Sequence, residues 1–103
     1  MINKTTAVSG SGLAYFFLLA DFMSKASSDL GINKVESRKL VEKTFLASAM
    51  LQGNEEYTSL IKKIASKGGT TEAALKVFQK EKFGNIVIKA VRSAYKRAKE
   101  LSR

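Results

Sequence analysis

Apolar positions along this chain fall into five blocks separated by glycine- or asparagine-centred breaks, and within each block their spacing is helical. The first block, Leu13 to Met23, is apolar on nearly every face, and its exit is marked by Ser27-Ser28-Asp29 and then Gly31. Asn33 with Glu36 three residues on reads as a capping box opening a second helix, in which Val35, Leu40, Val41, Phe45 and Ala49 carry the period to Leu51. Gly53 ends that helix, and Asn54-Glu55-Glu56 reads as a cap with two first-turn acids for a third, short helix striped by Tyr57, Leu60, Ile61 and Ile64. A fourth helix is predicted from about Thr71 to Lys80, with Ala74, Leu75 and Phe78 inward. After a break at Lys82-Phe83-Gly84-Asn85, the last helix repeats Ile86, Ala90, Ala94, Ala98 and Leu101. Polar, Thr-rich Met1 to Val8 reads as an extended lead-in to the turn Ser9-Gly10-Ser11-Gly12.

With no proline and no alternating pattern, the expectation is an all-α fold, a bundle of about five helices forming one domain over residues 1–103. The first helix adds a constraint. Tyr15, Phe16, Phe17, Leu18 and Leu19 point all around it, whereas a small single-layer bundle covers only one side of each member. The expected solution is an intertwined homodimer, because each large apolar side chain left in water forgoes roughly 1.5 to 3 kcal/mol.

Composition narrows the chemistry. The chain has no Cys and no His, which excludes thiol and histidine catalysis, zinc fingers and disulfides, so no catalytic and no metal-binding residues are expected. The run Leu13 to Ala20 stops at Asp21, short of the roughly 20 apolar residues of a membrane span, so no membrane association is expected and the cytoplasm is the default compartment. Eighteen Lys and Arg against nine Asp and Glu give a net charge of +9. Lys89, Arg92, Lys96, Lys99 and Arg103 form a basic stripe on the last helix, but no base-stacking aromatics interleave with it, so nucleic acid is not an expected partner.

Two glycine-containing stretches are candidate sites. In Ser66-Lys67-Gly68-Gly69-Thr70-Thr71, adjacent glycines precede cap hydroxyls and the first-turn acid Glu72, so a helix starts there with unpaired backbone N–H groups open to a ligand. Such a helix start takes a carboxylate or phosphate, although the same pattern also serves as a plain helix-start loop. Gly10-Ser11-Gly12 is not a dinucleotide loop: Tyr15 stands where the third glycine would fall, and no βαβ unit surrounds it. No Walker-type run follows either stretch.

Taken together, Ala7-Val8-Ser9-Gly10-Ser11-Gly12-Leu13-Ala14-Tyr15 and Ser66-Lys67-Gly68-Gly69-Thr70-Thr71 resemble the pyrroline-5-carboxylate reductase family, as do Leu30-Gly31, Lys43-Thr44, the Phe83 turn and the segment Ala94 to Leu101. The likeness runs from about Thr5 to the C-terminus and covers the helical dimerisation domain that follows the cofactor domain in that family. The resemblance implies a role in the NAD(P)H-dependent reduction of 1-pyrroline-5-carboxylate to proline. It further implies that a Rossmann domain absent from these residues holds the cofactor, that this chain binds none and is inactive alone, and that the partners are a second copy, that Rossmann domain and a small carboxylate ligand. By the resemblance, Ser66 and Thr71 match positions that hydrogen-bond the ligand carboxylate, Gly68 and Gly69 match the glycines beside it, and Thr70 lies between them. Departures from the family pattern are Leu13 and Lys67 for proline, Lys82 for glycine, Ala65 for a hydroxyl residue, Lys43 for glutamine, and Lys89, Arg92 and Lys96 where acids are frequent. The alternative is a stand-alone dimeric binding or scaffold module derived from that domain, with a basic outer helix.

Overall fold

The computed structural model describes residues 1–66 and 69–103. Lys67 and Gly68 lie outside the described residues. The fold is all-α, as the periodicity predicts. In chain order the elements are α1 (Ile2–Thr5), a π-helical segment (Thr6–Gly10), α2 (Gly12–Asp29), α3 (Lys34–Leu51), α4 (Tyr57–Ala65), α5 (Gly69–Lys80) and α6 (Phe83–Leu101). They form two compact units, Gly12–Gly53 on the one hand and Met1–Ser11 with Asn54–Arg103 on the other.

The α2–α3 unit is a helical hairpin whose turn is built by local chemistry. Gly31 takes φ +98°, the Ile32 N–H donates to Ser27 O and the Gly31 N–H to Ser28 O, the paired bonds of a Schellman cap. Asn33 then caps α3, its Oδ1 accepting from the Glu36 N–H at 2.9 Å, as the sequence pattern predicts. Where the helices meet, Ser37 is 1% exposed, and its hydroxyl donates to Ser27 Oγ at 2.8 Å. This pairing keeps a polar atom in the contact from being stranded. Val41 is buried one turn on, and farther along Phe45 meets Phe16 and Phe17 at ring-centroid distances of 5.8 and 6.4 Å.

In the other unit, the N-terminal segment packs on α6 and α4, α5 and α6 follow one another through short turns. The N-terminus departs from the extended lead-in expected of Met1 to Val8. Its hydroxyls bond to the preceding turn, Thr5 Oγ1 to Met1 O, Thr6 Oγ1 to Ile2 O and Ser9 Oγ to Thr5 O, all at 2.9 to 3.0 Å. Ala7, 1% exposed, faces α6. Tertiary contact holds helical a segment whose composition favours extended chain. The Ser-Gly-Ser-Gly stretch is likewise no turn: the Ser11 N–H reaches back five residues to Thr6 O at 2.8 Å, widening the helix into a π turn before α2.

Three further expectations are corrected. The Asn54-Glu55-Glu56 cap does not form as read; Glu56 occupies the cap position without a side-chain bond, and Glu55 instead pairs with Lys63 at 2.6 Å. The break at Lys82-Phe83-Gly84-Asn85 shrinks to Glu81 and Lys82, because Lys82 itself takes a left-handed conformation (φ 58°, ψ 44°) and completes the reversal, leaving Gly84 and Asn85 inside α6. Across this turn Phe78 and Phe83 pack at 4.9 Å between centroids. On α6, Val91, Ala94, Tyr95 and Ala98 are the half-covered positions, whereas Ile86 and Leu101 of the predicted apolar face remain exposed.

A lysine held left-handed gives a direct test. Lys82→Gly should stabilise the chain by roughly 0.5–1 kcal/mol, since glycine adopts this conformation without a Cβ penalty. Lys82→Ala should leave stability nearly unchanged. Thermal unfolding at one fixed protein concentration reads both, and a destabilised glycine variant would count against a strained turn.

Candidate anion-binding helix start

The predicted loop sits between α4 and α5. At its near side the Ser66 N–H donates to Lys62 O at 2.9 Å and its hydroxyl to Lys63 O at 3.0 Å, so Ser66 closes the last turn of α4. A ligand carboxylate would recruit this hydroxyl only by rotating it away from Lys63. At the far side α5 starts at Gly69, two residues earlier than the periodicity predicts. Gly69 and Thr70 are exposed and Thr71 is half-buried, and the first N–H groups of this twelve-residue helix have no acceptor within the helix itself. A Cβ placed on Gly69 would meet no described atom within 4 Å. Gly68, the remaining candidate, lies outside the described residues.

Electrostatics at this end are mixed. The helix dipole favours an anion, while Glu72 in the first turn opposes one; Glu72 is drawn along the helix toward Lys76, at 3.7 Å. On the α4 side the Lys63 ammonium is engaged by Glu55. On the described side of this helix start, the backbone N–H groups are the candidate anion donors.

Gly10-Ser11-Gly12 does not fit a dinucleotide. Gly10 belongs to the π segment, Gly12 opens α2, and the Ser11 N–H is already bonded to Thr6 O, so the backbone is not splayed to cradle a pyrophosphate. Among the described residues no group of three or more acidic, His or Cys side chains could hold a metal ion. What sequence reasoning missed is a shallow cleft between the N-terminal segment and α6, lined by Lys4, Ala7, Val8, Val91, Arg92 and Tyr95, with a volume of about 240 Å³. The signal for it is the placement of Ala7 and Val8 at helical spacing from Lys4, which an extended Met1 to Val8 conceals.

The profile of the family described as pyrroline-5-carboxylate reductase dimerisation matches residues 1–101. The chain belongs to this family. It is 41% identical over 103 residues to pyrroline-5-carboxylate reductase of Pseudomonas aeruginosa, covering 98% of this chain and 38% of that protein. The corresponding enzyme of Vibrio alginolyticus is 37% identical, over 99% of this chain and 39% of its own length. Among solved structures, pyrroline-5-carboxylate reductase from Coxiella burnetii superposes with a TM-score of 0.93 at 38% identity, over 99% of this chain and 38% of that one. The Plasmodium falciparum enzyme, solved with NADP bound, gives 0.91 at 28% identity, over 99% and 40%. The chain thus spans well under half the length of the relatives it matches.

The open space at Gly69 separates a ligand role from a capping role. Gly69→Ala should fold as well as the parent, since a methyl group meets nothing there and alanine favours helix, yet it should weaken carboxylate binding at least several-fold by crowding the N–H groups. Circular dichroism with a ligand titration checks both, and unchanged binding would assign the loop to capping alone.

Proposed function

We propose that this chain is the dimerising, substrate-contacting part of a pyrroline-5-carboxylate reductase, which reduces 1-pyrroline-5-carboxylate to proline with NAD(P)H. The observation that carries the reading is a dimerisation-family chain whose first long helix is left uncovered. Phe16, Phe17 and Leu18 are 60%, 63% and 58% exposed, and the buried hydrophobics among the described residues are Ala7 and Val41. Exposing even three such side chains forgoes roughly 1.5 to 3 kcal/mol each, a large part of the 5–15 kcal/mol that stabilises an ordinary domain. A second copy removes that cost, giving an intertwined homodimer in which folding and pairing share one core.

By length and composition the helical run Ile2–Asp29, with a mean hydropathy of 1.3 in its most apolar window, is long and apolar enough to cross a membrane. A homodimer interface is the better-supported cover. The run carries Asp21 and Lys25, paired at 2.8 Å, and its flank already holds Phe45 of α3. The same reading places the protein in the cytoplasm.

In this function Ser66, Gly68, Gly69, Thr70 and Thr71 hold the substrate carboxylate, with the first N–H groups of α5 as its principal donors. The reaction's hydride donor, NAD(P)H, is held by a Rossmann domain and not by these residues. The chain supplies binding and orientation only, and is inactive alone.

Two measurements test this reading. Light scattering at low micromolar concentration should give a dimer, and Phe16→Glu or Phe17→Glu should dissociate and partly unfold it in one step; a stable folded monomer would refute the assembly. In an amide titration, proline should shift Gly69, Thr70 and Thr71 first, with millimolar affinity, about 4 kcal/mol, because the cofactor domain's share of the pocket is missing. Shifts confined to other residues, or a Thr71→Ala variant that binds equally well, would count against the site.

A further inference from the structure

Positive charge in this chain is partitioned. The α2–α3 unit holds five Lys and Arg against four Asp and Glu, whereas the residues 1–11 and 54–103 hold thirteen against five, so nearly all of the +9 lies there. Within that unit the acids are occupied where it matters: Glu55 by Lys63, Glu72 by Lys76, and Glu100, the acid of α6, by Arg97 at 3.2 Å. Lys89, Arg92, Lys96 and Lys99 enter none of the ion pairs among the described residues, and all four are exposed.

At 3.6 residues per turn these four side chains fall within an arc of about 80° and span about 15 Å of helix axis. Asn85 shares the arc, Ile88, Ser93 and the Arg97-paired Glu100 lie at its margins, and Arg103 follows just past the last turn. The half-covered residues Val91, Ala94 and Ala98 lie on another side of the helix, whereas half-covered Tyr95 stands beside the stripe with the Lys99 ammonium 5.1 Å from its ring centroid. That segment adds a cation of its own, Lys4, which lines the same cleft as Arg92.

We propose that this face of α6 binds the phosphate backbone of nucleic acid without sequence preference. Lysine is depleted in protein–protein interfaces and their cores are apolar, whereas this arc is polar throughout and three of its four cations are lysines. A phosphate backbone needs no apolar anchor, because release of its condensed counterions drives the association. The lack of interleaved stacking aromatics, which argues against base recognition, is what a backbone-only contact requires.

The test is fluorescence anisotropy of the full chain with a labelled duplex of mixed sequence, titrated across salt concentration. With about five phosphate contacts, the slope of log affinity against log salt should be between −4 and −5, a loss of several hundredfold from 50 to 200 mM. Lys89→Gln combined with Lys96→Gln should flatten that slope by about 2. The control, Lys34→Gln with Lys43→Gln, removes the same net charge from the α2–α3 unit and should leave the slope as it was. Equal flattening by both pairs would reduce the effect to overall charge and overturn the proposal. So would no binding at 50 mM salt, or polyglutamate binding as tightly as the duplex, which would reassign the face to an acidic protein. None of these outcomes bears on the dimer or on the carboxylate loop.

Discussion

Uncovered apolar surface on α2 is the constraint on which the rest of this structure depends. A helix that is apolar on nearly every face meets α3 through the Ser27–Ser37 contact and through Phe16 and Phe17 against Phe45, yet Phe16, Phe17, Leu18 and Phe22 all stay more than half exposed. Among the described residues the interior is thin, with Ala7, Gly12, Ser37 and Val41 as the buried positions. In the proposed homodimer a second copy covers this surface, in keeping with a family described by its dimerisation.

Given so thin an interior, helix ends contribute more than usual to defining the fold. Gly31 and Asn33 set the α2–α3 turn within four residues by satisfying backbone groups on both sides of it. At the α5–α6 turn the same task falls to Lys82, where a side chain is forced into a conformation that glycine adopts freely. The Phe78–Phe83 contact across that turn is the compensating interaction.

The two proposed sites rely on different donors. In the proposed function the start of α5 offers backbone N–H groups to a small anion, while Ser66 closes α4. In the further proposal the outer face of α6 offers side-chain cations to an extended one. The first relies on fixed backbone direction, the second on mobile, solvated ammonium and guanidinium groups, and only the first would discriminate among small ligands of equal charge.

The sequence by itself determined the helices and most of their boundaries, because 3.6-residue periodicity, Gly31, Asn33 and the absence of proline act locally. It also exposed the covering problem of α2, a matter of side-chain identity alone, and the motif pair through which the family is recognised. The N-terminus was decided by tertiary structure. Met1 to Val8 has the composition of extended chain, and it is helical because Ala7 is buried against α6, more than eighty residues away in sequence, while its hydroxyls turn back on their own backbone. The same packing chose Val91, Ala94, Tyr95 and Ala98 as the inner positions of α6 over the equally periodic Ile86 and Leu101. Periodicity says that a helix has an apolar face; which part of a broad apolar face is covered depends on the shape of the neighbour, and a neighbour is a tertiary fact.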